Sequence, residues 1–148
     1  MIDPATMPCI CTTLRKAARA VSRLYDNAIV DAGMSTAQFA VLRNIDRAGE
    51  LPLSRLAEML VMERTSLYRM LAPLTRQDWI AIDASPHGRA KIVRLTDAGR
   101  TAMAGATTHW SRVQADFVES LGRHEWAALA DALQDIAARA SDRLEAAA

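Results

Sequence analysis

Between Ser54 and Leu95 the apolar pattern changes period, and that change restricts the fold more than any other feature of the chain. Ser54 to about Leu60 reads as a short helix opened by a serine cap. About Glu63 to Gln77 reads as a second helix, with Leu67, Leu71 and Leu74 on its inward face. Only Val61–Met62 separates the two. Pro73 lies inside the second helix, where it removes one hydrogen bond and is expected to bend the helix locally. The spacing then shortens to alternation over Trp79–Asp83 and again over Arg89–Leu95, around the turn cluster Ala84-Ser85-Pro86-His87-Gly88. That predicts a β-hairpin, the only sheet signal in the sequence.

The flanks are helical. Ile10, Leu14, Ala17, Val21, Leu24 and Ala28 recur at spacings of three and four, and Gly33 is placed to end that helix. Ser35 and Gln38 form a capping box for the next, whose inward residues are Phe39, Leu42 and Ile45 and whose stop is Gly49. Glu50–Leu53 is short and extended, since Pro52 is excluded from a helix interior. Thr96 caps a long helix carrying Met103, Ala106, Trp110, Val113, Phe117 and Leu121. Gly122 breaks it, and a last helix carries Trp126, Leu129, Leu133, Ile136, Ala140 and Leu144 before a frayed Ala146–Ala148 end. The fold class is therefore mainly α with one β-hairpin wing: a winged helix-turn-helix over residues 35–100, an N-terminal helix over 1–34 and C-terminal helices over 101–148. The terminal helices have too little to cover them within one chain, so a second copy is expected to pair with them.

Composition removes several classes. With 148 residues, 51% of them apolar and 24% charged, the chain can bury a core and is not disordered. No apolar run approaches the ~18 residues of a membrane span. Met1–Ile10 lacks the basic-then-apolar order of a secretory signal, so a reducing cytoplasm is expected. Cys9 and Cys11 cannot make a disulfide framework. His87, His109 and His124 are dispersed, so neither a metal nor a cofactor is expected. No nucleophile–base pair, carboxylate dyad or glycine-rich phosphate loop suggests an enzyme. Charge is uneven: residues 43–100 hold ten Lys/Arg against seven Asp/Glu, whereas 101–148 hold four against seven. A basic middle points to an anionic partner, although ordinary surface charge accounts for it equally well.

The second short helix opens with Arg64, Thr65, Ser66, Tyr68 and Arg69, all off its apolar face, and Ser54 starts the helix before it. Arg reads guanine edges or clamps phosphate, hydroxyls bond phosphate oxygens or bases, and an aromatic ring covers a thymine methyl. Arg89 and Lys91 flank the hairpin turn, within reach of phosphates or a minor groove. A solvated helix face would show the same residue types. The recurrence of the whole element order, followed directly by a basic hairpin, favours double-stranded DNA.

The sequence resembles the MarR family of winged-helix transcription regulators from about Cys11 to Ala140. The resemblance rests on Leu56-Ala57-Glu58 with Leu60, on Arg64-Thr65-Ser66-Leu67-Tyr68-Arg69, on Trp79-Ile80, and on Arg89-Ala90-Lys91 leading to Leu95-Thr96-Asp97-Ala98-Gly99-Arg100. It implies a homodimer with interlocked terminal helices on a pseudo-palindromic operator. Where the family's wing carries an acidic residue and two arginines, this chain has His87, Gly88 and Arg89, which leaves Arg89 as the implied wing contact. Glu63 holds the family's acidic cap position, with a structural role. The resemblance also implies a trigger. In one branch a cysteine at the start of helix one senses organic hydroperoxides. Cys11 falls on that position, with Cys9 beside it, and Tyr25 on one of two supporting tyrosines. Thr36 stands where the other would be. A helix N-terminus and nearby Arg15 would favour the thiolate, while a buried packing role for the cysteine is the plain alternative. A Cys9–Cys11 disulfide would require local unwinding. Other members bind small aromatic acids, for which Arg15, Arg19, Gln38, His109 and Trp110 are the candidates, Trp110 having dimer packing as its alternative.

Overall fold

The computed structural model describes residues 6–147, so the first five residues and Ala148 of the expected frayed end lie outside it. The elements run α1 (Ile10–Ile29), α2 (Thr36–Ala48), β1 (Glu50–Pro52), α3 (Leu53–Met59), α4 (Arg64–Arg76), β2 (Ile80–Ala84), β3 (Lys91–Leu95), α5 (Asp97–Leu121) and α6 (Arg123–Ala146). A single 3-10 turn, Val30–Ala32, closes α1, with Gly33 in the left-handed region at φ 71°. The capping box forms as expected: the Gln38 amide donates to Ser35 Oγ, and the Ser35 amide donates to Gln38 Oε1 at 2.9 Å. Thr96 caps α5 by accepting from the Gly99 amide at 3.0 Å.

Two local readings need correction. α3 begins at Leu53 with Pro52 at its cap, so Ser54 is a first-turn residue rather than the cap. The fixed φ of a proline supplies the extended residue that a helix start requires. The hairpin is also not the whole sheet. Glu50–Pro52 pairs antiparallel with β3, giving the order β1-β3-β2, with Leu51 opposite Val93 and Ile82 opposite Val93. One face of this sheet buries Leu51, Val93, Leu95 and Ile80 against α2, α3 and α4.

Both helices of the helix-turn-helix end in the same device. After α3, the Val61 amide bonds Glu58 O and the Met62 amide bonds Ala57 O. After α4, the Asp78 amide bonds Thr75 O and the Trp79 amide bonds Leu74 O. This is the Schellman pattern, which needs a left-handed residue just past the helix and usually finds glycine there. Here the positions are taken by Val61 at φ 51° and Asp78 at φ 56°. Asp tolerates the conformation through its short polar side chain, but β-branched Val61 is strained in it. α4 continues through Pro73 to Arg76.

The core lies among α2, α3, α4 and the sheet: Ile29, Phe39, Leu42, Ile45, Leu56, Leu67, Leu71, Leu74, Ile80 and Val93 are almost wholly buried. Gly99, in the first turn of α5, faces the Trp79 carbonyl so closely that an added Cβ would lie 1.9 Å from its oxygen. The terminal helices are different. α1 buries only Tyr25 and Ile29, and α6 buries no residue. The expected stripe of α1 is therefore only partly covered within one chain: Ile10 is 66% and Leu24 42% exposed, whereas Leu14, Val21 and Ala28 are half-buried. The helix packs against α2 and α5.

Candidate nucleic-acid interface

α4 turns its leucines inward, and at roughly 100° per residue that sets every other position. Thr65 and Arg69 fall opposite the leucines, Ser66 on one flank, and Arg64 and Tyr68 on the flank toward the hairpin. All five are exposed. Glu63 stands at the cap of α4 without a capping side-chain bond. The turn before α4 leaves Arg64 beside the start of α3, because the two helices pack through Leu56, Ala57 and Leu67.

The hairpin returns the chain to the same place. Ala84 and Lys91 are opposite each other where the strands end, and Arg89 sits in the tip just beyond. A cleft of about 270 Å³ results, lined by Pro52, Leu53, Ser54, Arg64, Leu67, Tyr68, Arg89, Ala90 and Lys91. Five of the eight residues singled out in the sequence meet there: Ser54, Arg64, Tyr68, Arg89 and Lys91. Thr65, Ser66 and Arg69 lie outside the cleft on the exposed part of the same helix. Three cations and no carboxylate line the cleft, so its potential is positive without internal compensation. Lys91 Nζ lies over the Tyr68 ring, 5.7 Å from its centroid.

A family model described as a winged helix DNA-binding domain matches residues 34–99. The Mycobacterium tuberculosis transcriptional regulator MosR, solved in complex with DNA, is 31% identical, with a TM-score of 0.83 over 91% of this chain and 98% of that one. The chain belongs to the MarR family. The repressor CouR, solved on a 23-mer DNA duplex, is similar at 27% identity and a TM-score of 0.78, covering 87% of this chain and 92% of that one. The Streptomyces coelicolor regulator PcaV, solved with its natural ligand, shares the fold at 23% identity and a TM-score of 0.80, over 95% of this chain and 98% of that one. No curated protein matches the sequence.

In this MarR-family chain the residues named for a small-molecule site are not assembled together. Arg15 and Arg19 are exposed on α1, His109 is exposed on α5, and the Gln38 side chain is held in the capping box. Trp110 alone of the five lines the large cavity between α1, α5 and α6, about 590 Å³, whose other walls include Leu14, Val21, Phe117, Leu121, Trp126 and Leu133. Its polar groups are Ser22, Tyr25, Thr36 and Gln114. Tyr25 Oη donates to Gln114 Oε1 at 2.6 Å, and burial raises the phenol pKa. Thr36 Oγ1 is buried without a hydrogen-bond partner. Among the described residues, no charged one lines this cavity. The sequence reading missed Gln114; its signal is a polar residue one helical turn after Trp110 on α5. Arg43, from α2, stacks on Trp110 from outside at 4.1 Å, and desolvation first, then Arg47, lowers its pKa.

Cys9 and Cys11 are both exposed free thiols, which removes the buried packing alternative within the chain. Cys9 is the cap residue of α1 and makes no formed capping bond. The Thr12 amide, then the Thr12 hydroxyl, nevertheless draw its thiol pKa below the usual value, with the Cys11 amide adding to the effect and slight desolvation opposing it. Tyr25 lies fourteen residues from Cys11 on the same helix, about 21 Å along its axis. Within one chain the two cannot touch. No group of acidic, His or Cys residues that could hold a metal occurs among the described residues, and no helix there is long and apolar enough to cross a membrane.

Proposed function

We propose that this protein is a homodimeric, sequence-specific repressor that leaves its operator when a small aromatic or phenolic effector binds. One observation carries the reading: a recognition helix with Thr65, Ser66 and Arg69 exposed, beside a cleft where Ser54, Arg64, Arg89 and Lys91 converge without a carboxylate. In the bound state Arg69, Thr65 and Ser66 face base edges in the major groove. Arg64 and Ser54 hold phosphates, and Arg89 and Lys91 follow the backbone into the adjacent minor groove. Relatives solved on DNA, at 31% and 27% identity, support it. Residues 35–100 do the reading, and 1–34 with 101–148 do the pairing.

Two copies are needed because one helix contacts only one groove. The recognition helices must lie about 34 Å apart to meet successive major grooves. The uncovered apolar residues of α1, α5 and α6, among them Leu24, Leu121, Leu129, Ile136 and Leu144, supply the surface for a second copy. The effector occupies the end of the cavity bounded by Tyr25, Thr36, Trp110 and Gln114. Its lining favours a neutral ring with one hydroxyl over a carboxylate, because no arginine is there to pair. It releases DNA only as far as it prefers the conformation unfit for the operator.

The test is a gel shift on the protein's own upstream region at fixed salt, with and without a panel of phenols and aromatic acids. Retardation that a phenol relieves supports the reading, and failure to retard any duplex at low salt refutes it. A second reading is favoured by the lowered pKa of Cys9 at the start of α1. The thiolate of Cys9 or Cys11 attacks an organic hydroperoxide, giving a sulfenic acid and releasing the alcohol. If a Cys9→Ser/Cys11→Ser variant still releases DNA on hydroperoxide treatment, the thiol reading is wrong.

A further inference from the structure

The cleft between α4 and the hairpin has a neighbour. A second cleft of about 540 Å³ lies between the later turns of α4 and β2, lined by Leu71, Ala72, Thr75, Arg76 and Ile82 among others. The two clefts share two lining residues, Tyr68 and Lys91. These two therefore form the ridge that divides the clefts and joins recognition helix to wing. The Lys91 ammonium rests over the Tyr68 ring, 5.7 Å from its centroid, and no carboxylate among the described residues pairs with it. Asp83, one residue before the partner of Lys91 on β2, is engaged with Arg94 at 3.4 Å. Tyr68 is 47% exposed, so the pair stands at the surface, open to a ligand.

We propose that Tyr68 is a positioning residue for Lys91: its ring, not its hydroxyl, holds the ammonium at the rim of the cleft, aimed at a DNA phosphate. A free lysine samples many rotamers, and fixing it on binding costs entropy. A cation held over an aromatic face within about 6 Å has part of that ordering done beforehand. The wing and the recognition helix then meet the duplex as one unit. This inference rests on the DNA-binding reading above.

The experiment is a double-mutant cycle on operator affinity, with Tyr68→Leu, Tyr68→Phe and Lys91→Met, at several salt concentrations. Tyr68→Phe is expected to bind like the parent. Tyr68→Leu is expected to weaken binding about two- to fivefold per protomer, the usual scale of an exposed cation–ring contact. In the Lys91→Met background Tyr68→Leu is expected to cost nothing further. Lys91→Met itself lowers the slope of log K against log salt by about 0.9 per protomer. The proposal is overturned if Tyr68→Phe loses as much as Tyr68→Leu, which would assign the hydroxyl to DNA. It is equally overturned if the Tyr68→Leu loss persists without Lys91. A DNA-free readout separates the two readings: the Lys91 side-chain ε protons should be shifted upfield by the ring, retained in Tyr68→Phe and lost in Tyr68→Leu. Unshifted protons in the parent protein overturn the pairing whatever the DNA result. Shifted protons with no retarded duplex overturn the DNA-binding reading and the aiming role together, and leave the contact itself standing.

Discussion

Replacing Gly99 by alanine sets two effects of opposite sign against each other. In an exposed helix interior the change is favourable by roughly 1 kcal/mol, because glycine loses more backbone freedom on folding. Gly99, however, is buried in the first turn of α5 with the Trp79 backbone against it. The new Cβ would lie 1.9 Å from the Trp79 oxygen and 2.8 Å from its carbon. An ordinary carbon–oxygen contact is about 3.3 Å, so helix and strand must part by about 1.4 Å. That separation also strains the bond from the Thr96 amide to Trp79 O, 3.1 Å long, worth about 1 kcal/mol. Overpacking of this kind costs roughly 1–3 kcal/mol, so the clash outweighs the propensity gain and a net loss of about 1–3 kcal/mol is expected. Gly105 is the internal control. It lies in the same helix with nothing within 4 Å of an added Cβ, and Gly105→Ala is expected to stabilise by about 0.5–1 kcal/mol. Thermal and urea unfolding at one protomer concentration measure both, at about 2–4 °C per kcal/mol for a chain of this size. If the two substitutions shift stability in the same direction, the close approach of α5 to Trp79 is not what requires glycine there.

Val61→Gly should stabilise by about 0.5–1 kcal/mol in urea unfolding: relief of the left-handed strain, ~1–2 kcal/mol, exceeds the entropy that glycine adds to the unfolded chain, and the Val61 side chain is 66% exposed. Arg69→Ala should weaken operator binding by roughly 1–3 kcal/mol and relax specificity at one base pair in each half-site, as read by competition with single-base operator variants. Arg89→Ala should weaken all duplexes alike and flatten the dependence of log K on log salt, whereas an unchanged slope would remove Arg89 from the phosphate contacts. Because the Thr12 groups favour the thiolate, alkylation of Cys9 in a Cys11→Ser background should reach half its maximal rate at a lower pH than a peptide cysteine. Reactivity is lost as pH falls through that depressed value, and a Thr12→Ala variant, which removes the hydroxyl but keeps the amide, should move the midpoint only part of the way back up.

Much of the fold was legible because its signals are local. The capping box, the Thr96 cap and the three-and-four spacings each depend on residues within one turn, and all of them form. The recognition-helix residues were legible for the same reason, since the inward leucines set where the others point. The features that escaped depend on contacts distant in sequence. Three residues including a proline carry no alternation, so Glu50–Pro52 becomes a strand only because β3 lies beside it. The ends of α3 and α4 lack the glycine that announces a left-handed residue, and Val61 and Asp78 are forced into it by the bonds around them. The arginines of α1 looked suited to a carboxylate, but the helix turns its small and apolar residues to the cavity and leaves Arg15 and Arg19 in solvent.

The third strand, β1, adds a covalent route between α2 and β3 to the packing that already joins them. α2 begins at Thr36, whose hydroxyl lies in the wall of the apolar cavity, and β1 starts two residues after the helix ends. Over thirteen residues α2 is a rod about 20 Å long, stiffened by its own hydrogen bonds. Its near end lies in the cavity wall, and β1 beyond its far end pairs with β3, Leu51 opposite Val93. Under the effector reading proposed above, a tilt of α2 at Thr36 reaches β3 by two routes, through Gly49 and β1 and through the direct packing of α2 on β3.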